Sequence, residues 1–177
     1  MIHIITGDGK GKTTAALGLV LRAVGAGFKV AIIFFDKGGE GHYSERKALR
    51  ERFSDSVMFQ SFGRDRIDPQ TGRFDFTIVD EDREQAERAL ALARDALSSG
   101  VYSLVVLDEI ISTVGTLMLS EKNVLDVLAQ KNPSTEVVLT GRNAPESFMD
   151  LADLVSEVKM IKHYYYSGVK AREGIDY

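Results

Sequence analysis

Residues 2–14 read IHIITGDGKGKTT, an apolar segment followed by a glycine-rich loop and the start of a long apolar run. A strand that leads into a glycine-rich loop ending in Gly-Lys-Thr, with a helix after it, is the context of a phosphate-binding loop. The alternative is a glycine-rich turn with two solvated lysines, and the register of strand, loop and helix favours the phosphate interpretation. The predicted binding residues are Gly7, Asp8, Gly9, Lys10, Gly11, Lys12, Thr13 and Thr14.

Each part of this loop has a chemical role. Glycines let successive backbone N–H groups point inward, and a helix starting near Lys12 adds unpaired N–H donors and the positive end of its dipole. Lys12 would reach the phosphates, and the hydroxyl of Thr13 would bind Mg²⁺. The loop is one residue short, because only residues 8–10 separate Gly7 from the Gly-Lys pair. We therefore expect an unusual seating of the nucleotide.

The composition narrows the class of protein. The chain has 177 residues, 44% hydrophobic and 27% charged, which suits one globular domain over residues 1–177. The absence of cysteine excludes disulfides, thiolate metal sites and a cysteine nucleophile, and it suits a cytoplasmic location. A net charge of −4 without a basic face argues against nucleic acid as a partner. Without a long apolar run or an apolar leader after Met1, we expect no membrane partner.

Apolar strands alternate with helical segments along the rest of the chain. Continuous apolar runs predict buried parallel strands, and the short spacings predict crossover connections. We predict an α/β fold with three layers, a doubly wound, mostly parallel sheet of the P-loop, RecA-like kind. The predicted helices cover residues 14–26, 44–53, 82–99 and 120–130, with short ones after Glu109 and at Pro145. After the first strand, the predicted strands cover residues 28–35, 57–62, 102–107, 136–140 and 154–161.

Further candidate residues follow these strands. The run 104–109 delivers Asp108 and Glu109 from a buried strand, and both carboxylates would bind Mg²⁺, directly or through water. In an ATPase Glu109 would also activate water, so its presence does not select the reaction. Lys37 and Arg142 follow two other strands, and each is either a phosphate contact or a member of a salt bridge.

Two less regular segments complete the chain. Residues 63–79 contain several arginines and phenylalanines, among them Arg73 and Phe74, and long irregular stretches are typically functional or disordered. Residues 162–177 form a basic, aromatic tail, in which Tyr164 to Tyr166 either pack or cover a cofactor. The three histidines lack the spacing of metal ligands, and His3 is predicted to be structural.

Taken together, these segments resemble the P-loop ATP:corrinoid adenosyltransferases over almost the whole chain. The matching segments are the loop with residues 15–18 and 21–25, Lys37-Gly38, 105–110, 138–145, 151–155, Lys162-His163 and 168–175. The resemblance implies transfer of the 5′-deoxyadenosyl group of ATP to the Co(I) of a reduced corrinoid, with release of triphosphate. The family shares the shortened loop and binds ATP with reversed polarity. The resemblance also implies a homodimer and a reductase partner of the flavin type.

The implied chemistry needs few protein groups. Co(I) is itself a strong nucleophile, so no serine, cysteine or histidine base is required. The protein must place cobalt in line with C5′ and stabilise charge on the departing triphosphate. Lys10, Lys12, Mg²⁺ and the loop N–H groups can supply that charge stabilisation, with Glu109 as the third predicted catalytic residue.

The chain departs from the family on the corrinoid side. The family's Phe-Thr-Trp is Phe76-Thr77-Ile78 here, with Phe76 left to supply part of an aromatic wall. Tyr164 stands where many members have proline, and longer members carry an N-terminal segment that helps to cover the site. The alternatives are a generic P-loop ATPase or small-molecule kinase, which would release ADP, and a nucleotide-dependent module that binds corrinoid without turnover.

Overall fold

The computed structural model describes residues 1–39, 42–66, 70 and 75–177. The strands in this part of the chain are β1 (Ile2–Thr6), β2 (Val30–Phe34), β3 (Val57–Ser61), β4 (Leu104–Asp108), β5 (Glu136–Thr140) and β6 (Leu154–Glu157). The helices are α1 (Lys12–Gly25), α2 (Ser44–Arg52), α3 (Asp80–Ser98), α4 (Ile110–Gly115), α5 (Glu121–Leu128) and α6 (Glu146–Leu151), with a 3-10 turn at Tyr164–Ser167.

All the strands lie in one sheet, in the order β3-β2-β4-β5-β1-β6, and every neighbouring pair is parallel. Strand β5 lies between β1 and β4, with Ile5 opposite Thr140, and Phe34 of β2 is opposite Asp108. The carboxyl ends of four strands therefore meet at one edge, where ligands bind in open α/β sheets. The predicted parallel, doubly wound sheet is confirmed.

Alternate side chains of β1 to β5 enter the two helical layers. Ile4 and Leu107 belong to one buried cluster, which includes residues of α3, α4 and α5. Ile5 and Val106 belong to the other, which includes residues of α1 and α2. Because strands buried on both faces need apolar residues at every position, the continuous apolar runs were a reliable signal.

Most element boundaries lie one or two residues from those that the sequence predicted, and the end of β6 differs by four residues. Strand β6 ends at Glu157 rather than at residue 161, at the edge of the sheet, where its side chains are exposed. Helix α3 begins at Asp80, two residues early, because the carboxylate of Asp82 accepts a 2.9 Å hydrogen bond from the backbone N–H of Val79. Arg73 and Phe74 lie outside the described residues.

Ion pairs order the described part of the irregular stretch. Arg66 is buried, donates a 2.7 Å hydrogen bond to Asp36, and pairs with Asp82 at the start of α3. Arg64 pairs with both Asp75 and Asp82. Burial raises the pKa of Asp36, although the hydrogen bond from Arg66 opposes the shift. This network ties the segment after β3 to the chain that follows β2 and to the first turn of α3.

Candidate functional site

The glycine-rich loop packs against the chain that follows β6. The backbone N–H of Gly9 donates a 2.8 Å hydrogen bond to the carbonyl of Val158. A Cβ atom on Gly7 would lie 2.4 Å from the same carbonyl, and φ of Gly7 is +106°. Only glycine satisfies both conditions, so the loop depends on its first glycine for close approach as well as for backbone conformation.

Lys12 is held inside this loop. Its Nζ donates hydrogen bonds of 2.8 Å to the carbonyl of Gly7 and 2.9 Å to that of Gly9, and the residue is only 6% exposed. Burial lowers the pKa of Lys12, and the opposing attraction of Glu109 does not restore it. A phosphate group that enters the loop would therefore meet a cation with little access to water.

Beside the loop, Thr13 and Asp108 converge on one point. The hydroxyl of Thr13 donates to Oδ2 of Asp108 at 3.2 Å and accepts a 2.9 Å hydrogen bond from Nζ of Lys37. The same ammonium also pairs with Oδ2 of Asp108. On its other side, Oδ1 of Asp108 accepts a 2.6 Å hydrogen bond from Thr140.

Lys37 is charged in this position. Burial lowers the pKa of Lys37, but Asp108 and Glu109 outweigh it, so the net shift is upward. The rings of Phe34 and Tyr43 lie 5.9 Å from the ammonium and favour a cation there. The structure shows Lys37 in a salt bridge with Asp108, a predicted metal ligand, and its contact with phosphate stays a prediction.

The donor set at this point fits Mg²⁺. A hydroxyl and a carboxylate are hard oxygen ligands, and Mg²⁺ typically binds one or two carboxylates while water and substrate phosphates complete its octahedron. Among the described residues no group of three or more His, Cys, Asp or Glu is arranged to hold a metal. Any metal bound by Thr13 and Asp108 would therefore complete its coordination with water or with nucleotide oxygens.

Glu109 occupies a strained position at the start of α4. Its φ is +64°, and its N–H donates a 2.9 Å hydrogen bond to Thr140 while its carboxylate accepts one from Ser112. The hydroxyl of Ser112 in turn accepts from the N–H of Arg142 at 3.1 Å. Neither Ser112 nor Thr140 was among the predicted site residues. Thr140 could have been found from its place at the end of a predicted strand, whereas Ser112 gave no signal.

The C-terminal tail lies over the loop. Nζ of Lys10 donates a 2.7 Å hydrogen bond to the carbonyl of Ile175 and lies 3.4 Å from the carboxylate of Asp176. That carboxylate also accepts hydrogen bonds from the hydroxyl of Tyr164 and from Arg172. The hydrogen bond from Tyr164 is the main reason that the pKa of Asp176 lies well below its usual range.

The loop and the tail enclose a cleft of about 460 Å³. Its lining includes residues 8–14, Glu109, Arg142, His163, Tyr164 to Tyr166 and Asp176. Phe76 is not part of this group: it is 82% exposed and precedes α3. Ile78 packs against the core. The structure thus brings the predicted phosphate and metal residues together, and the part assigned to Phe76 stays a prediction.

The family model described as ATP:corrinoid adenosyltransferase BtuR/CobO/CobP matches residues 1–177. This chain belongs to the ATP:corrinoid adenosyltransferase family. Corrinoid adenosyltransferase CobA of Salmonella typhimurium is 37% identical over 182 residues, which cover 100% of this chain and 85% of the relative. An uncharacterized protein of Nostoc sp. strain PCC 7120 is 37% identical over 186 residues, which cover 99% of this chain. The present chain spans 48% of the length of that Nostoc protein.

A solved structure supports the fold of this adenosyltransferase family member. The KaiC-like protein of Pyrococcus horikoshii OT3 aligns with a TM-score of 0.56 at 15% identity, covering 92% of this chain and 73% of the other. The likeness concerns the fold alone, and with the parallel sheet it confirms the predicted RecA-like P-loop class. Within the described residues, no helix combines the length and apolar character needed to cross a membrane.

Proposed function

We propose that this protein transfers the 5′-deoxyadenosyl group of ATP to the cobalt of a reduced corrinoid and releases triphosphate. The family match over residues 1–177 carries the proposal. The geometry supports it, because a glycine loop with a buried lysine lies in a cleft that is large enough to admit a nucleotide.

In this reaction Co(I) donates an electron pair to C5′, the cobalt–carbon bond forms, and the bond from C5′ to the phosphate oxygen breaks. The triphosphate leaves with that bond's electron pair, so no proton has to be removed by a base. The protein's task is to align the two reactants and to stabilise the negative charge of the leaving group.

The cleft offers cations for that charge. Lys12 lies inside the loop, and the exposed residues Lys10 and Arg142 also line the cleft. No carboxylate pairs with the guanidinium of Arg142 among the described residues, which leaves it available to phosphate oxygens. Thr13, Asp108 and Glu109 would hold Mg²⁺, which when bound supplies further positive charge to the triphosphate.

The assay is an incubation with ATP, Mg²⁺ and chemically reduced corrinoid, followed by the visible spectrum and analysis of the released phosphates. The proposal expects an alkylcobalt spectrum and one triphosphate for each corrinoid converted. Release of ADP would instead identify an ATPase or kinase, and binding of ATP and corrinoid without product would identify a carrier module. Either result overturns the proposal.

The family also underlies three broader proposals about partners and location. We infer that the protein forms a homodimer, receives electrons from a flavin-type reductase, and acts in the cytoplasm. Sedimentation of the purified protein tests the first, and a reductase-coupled assay that starts from the Co(II) corrinoid tests the second.

A further inference from the structure

The ammonium of Lys37 lies where the two innermost predicted metal ligands converge. It is 2.9 Å from Oγ1 of Thr13 and in direct contact with Oδ2 of Asp108. A metal ion bridging the same two oxygens would lie about 2.1 Å from each. The ammonium and the metal therefore cannot occupy this point together.

We propose that Lys37 is an internal cation that closes the metal site of the free protein and leaves it only when a triphosphate arrives to accept its ammonium. This inference rests on the proposed function, since it takes Thr13 and Asp108 as the metal ligands. It makes Lys37 a positioning residue that couples the loading of metal to the loading of nucleotide.

Burial explains why some cation must always be present. The side chain of Asp108 is 1% exposed, and Thr140 already satisfies its Oδ1. A buried carboxylate without a positive partner is strongly destabilising, so Oδ2 needs either an ammonium or a metal. In the free protein Lys37 fills that need, with its own side chain 14% exposed.

The exchange requires only a movement of the lysine side chain. The backbone of Lys37 is fixed on both sides, because its N–H donates to the carbonyl of Phe62 at 2.8 Å and its carbonyl accepts from Arg46. Lys37 follows β2, next to β4 at the same sheet edge as the loop. Thr13, whose hydroxyl the ammonium contacts, lines the cleft. A rotation about the lysine side-chain bonds would therefore turn the ammonium from Asp108 toward phosphate oxygens bound there.

The test measures Mn²⁺ binding through the electron paramagnetic resonance signal of the free ion, with and without ATP. Binding with ATP is counted relative to the same Mn²⁺ and ATP mixture without protein, because ATP itself binds the ion. Three proteins are compared: wild type, Lys37→Met, and Lys29→Met. Lys29 is a matched control, since it is an exposed lysine at the other end of the same strand. Without ATP, Lys37→Met should bind Mn²⁺ about tenfold tighter than the other two. Adding Asp108→Asn to Lys37→Met should remove that gain.

The outcomes separate this inference from the proposed function. Equal Mn²⁺ affinity of wild type and Lys37→Met without ATP overturns the inference, while Mn²⁺ binding by wild type with ATP leaves the metal assignment intact. Failure of wild type to bind Mn²⁺ even with ATP overturns both the inference and the metal site. If wild type binds no Mn²⁺ even with ATP, a chelator should also leave its affinity for ATP unchanged.

A measurement on the wild type keeps the test independent of the variant's folding. In protein labelled with ¹⁵N at lysine Nζ, a buried and bonded ammonium exchanges slowly with water and gives a distinct resonance. The resonance assigned to Lys37 should be present in the free protein and should shift or vanish when Mg²⁺ and ATP are added together. A resonance unmoved by Mg²⁺ and ATP overturns the inference.

Discussion

Thr140 donates a 2.6 Å hydrogen bond to Oδ1 of Asp108, and both residues are fully buried. Because β5 lies between β1 and β4, this bond turns the second carboxylate oxygen toward Thr13 at the start of α1. The hydroxyl of Thr140 also accepts a 2.9 Å hydrogen bond from the backbone N–H of Glu109. One threonine therefore positions both acidic residues that the sequence assigned to the metal.

Replacing Thr140 by valine removes the hydroxyl and keeps the shape. We expect Thr140→Val to lower the free energy of unfolding by about 2 kcal/mol, because a buried charged acceptor loses its donor. The Mg²⁺ concentration required for half-maximal activity should also rise. Thr140→Ser, which keeps the hydroxyl, is the control for urea unfolding and Mg²⁺ titration. A Thr140→Val enzyme with the wild-type Mg²⁺ curve would show that Thr140 acts on stability alone.

Lys12→Ala should reduce turnover about 100-fold or more, because the cation that meets the phosphates inside the loop is lost. Its stability should change little, since water can enter the space left by the lysine side chain and donate to the two loop carbonyls that Lys12 now contacts. Lys131 provides a matched control at the opposite end of the sheet, where its Nζ also donates to two carbonyls, at 3.0 and 2.8 Å. Equal activity of Lys12→Ala and Lys131→Ala would refute the phosphate role.

The contact between the loop and Val158 predicts how glycine substitutions behave. A Cβ on Gly9 would lie 2.7 Å from the Val158 carbonyl, so Gly9→Ala should destabilise the protein by about 2 kcal/mol and weaken ATP binding. Gly18 in α1 has no described atom within 4 Å of its Cβ position. Gly18→Ala should therefore stabilise the protein by about 1 kcal/mol. Thermal unfolding of both variants gives the comparison, and similar losses in both would contradict it.

The tail occupies the ammonium of Lys10, so we expect it to compete with phosphate for this group. Asp176→Asn removes the charge that pairs with Lys10, so we expect tripolyphosphate to bind about two- to fivefold more tightly. Glu173→Gln makes the same charge change at an exposed position of the tail and is the control. Calorimetric titrations at one ionic strength measure both. If the two variants gain affinity equally, the effect is general charge and not release of Lys10.

The parts of this protein that local sequence specifies were predicted well. Strand β5 was predicted with its observed bounds, and the loop and Asp108 were found because each follows a buried strand in a fixed spacing. The contacts that complete the site join distant residues. Lys10 and Asp176 are 166 positions apart, and Thr140 reaches Asp108 only because of the strand order. Such pairings leave no periodicity in the sequence, so they appear only in the folded chain.

The last prediction concerns the aromatic wall expected of the proposed corrinoid site. Reduction of Co(II) becomes easier when a dry wall excludes the lower ligand of the corrinoid, and rings suit that purpose. The resemblance left Phe76 to supply part of this wall, but Phe76 is exposed and does not line the cleft. Tyr165 and Tyr166 are 69% and 76% exposed and line the cleft itself. Their rings lie 5.9 Å apart, edge to face.

We therefore expect Tyr166→Leu to reduce the fraction of four-coordinate Co(II) corrinoid, measured by electron paramagnetic resonance with ATP present, more than Phe76→Leu does. Turnover from chemically prepared Co(I) should change little in either variant, because that reaction bypasses the reduction of Co(II) on the enzyme. If only Phe76→Leu loses the four-coordinate signal, the aromatic wall lies in the segment before α3. That result would also require the segment to move toward the cleft when corrinoid binds, since Phe76 does not line the cleft in the free protein.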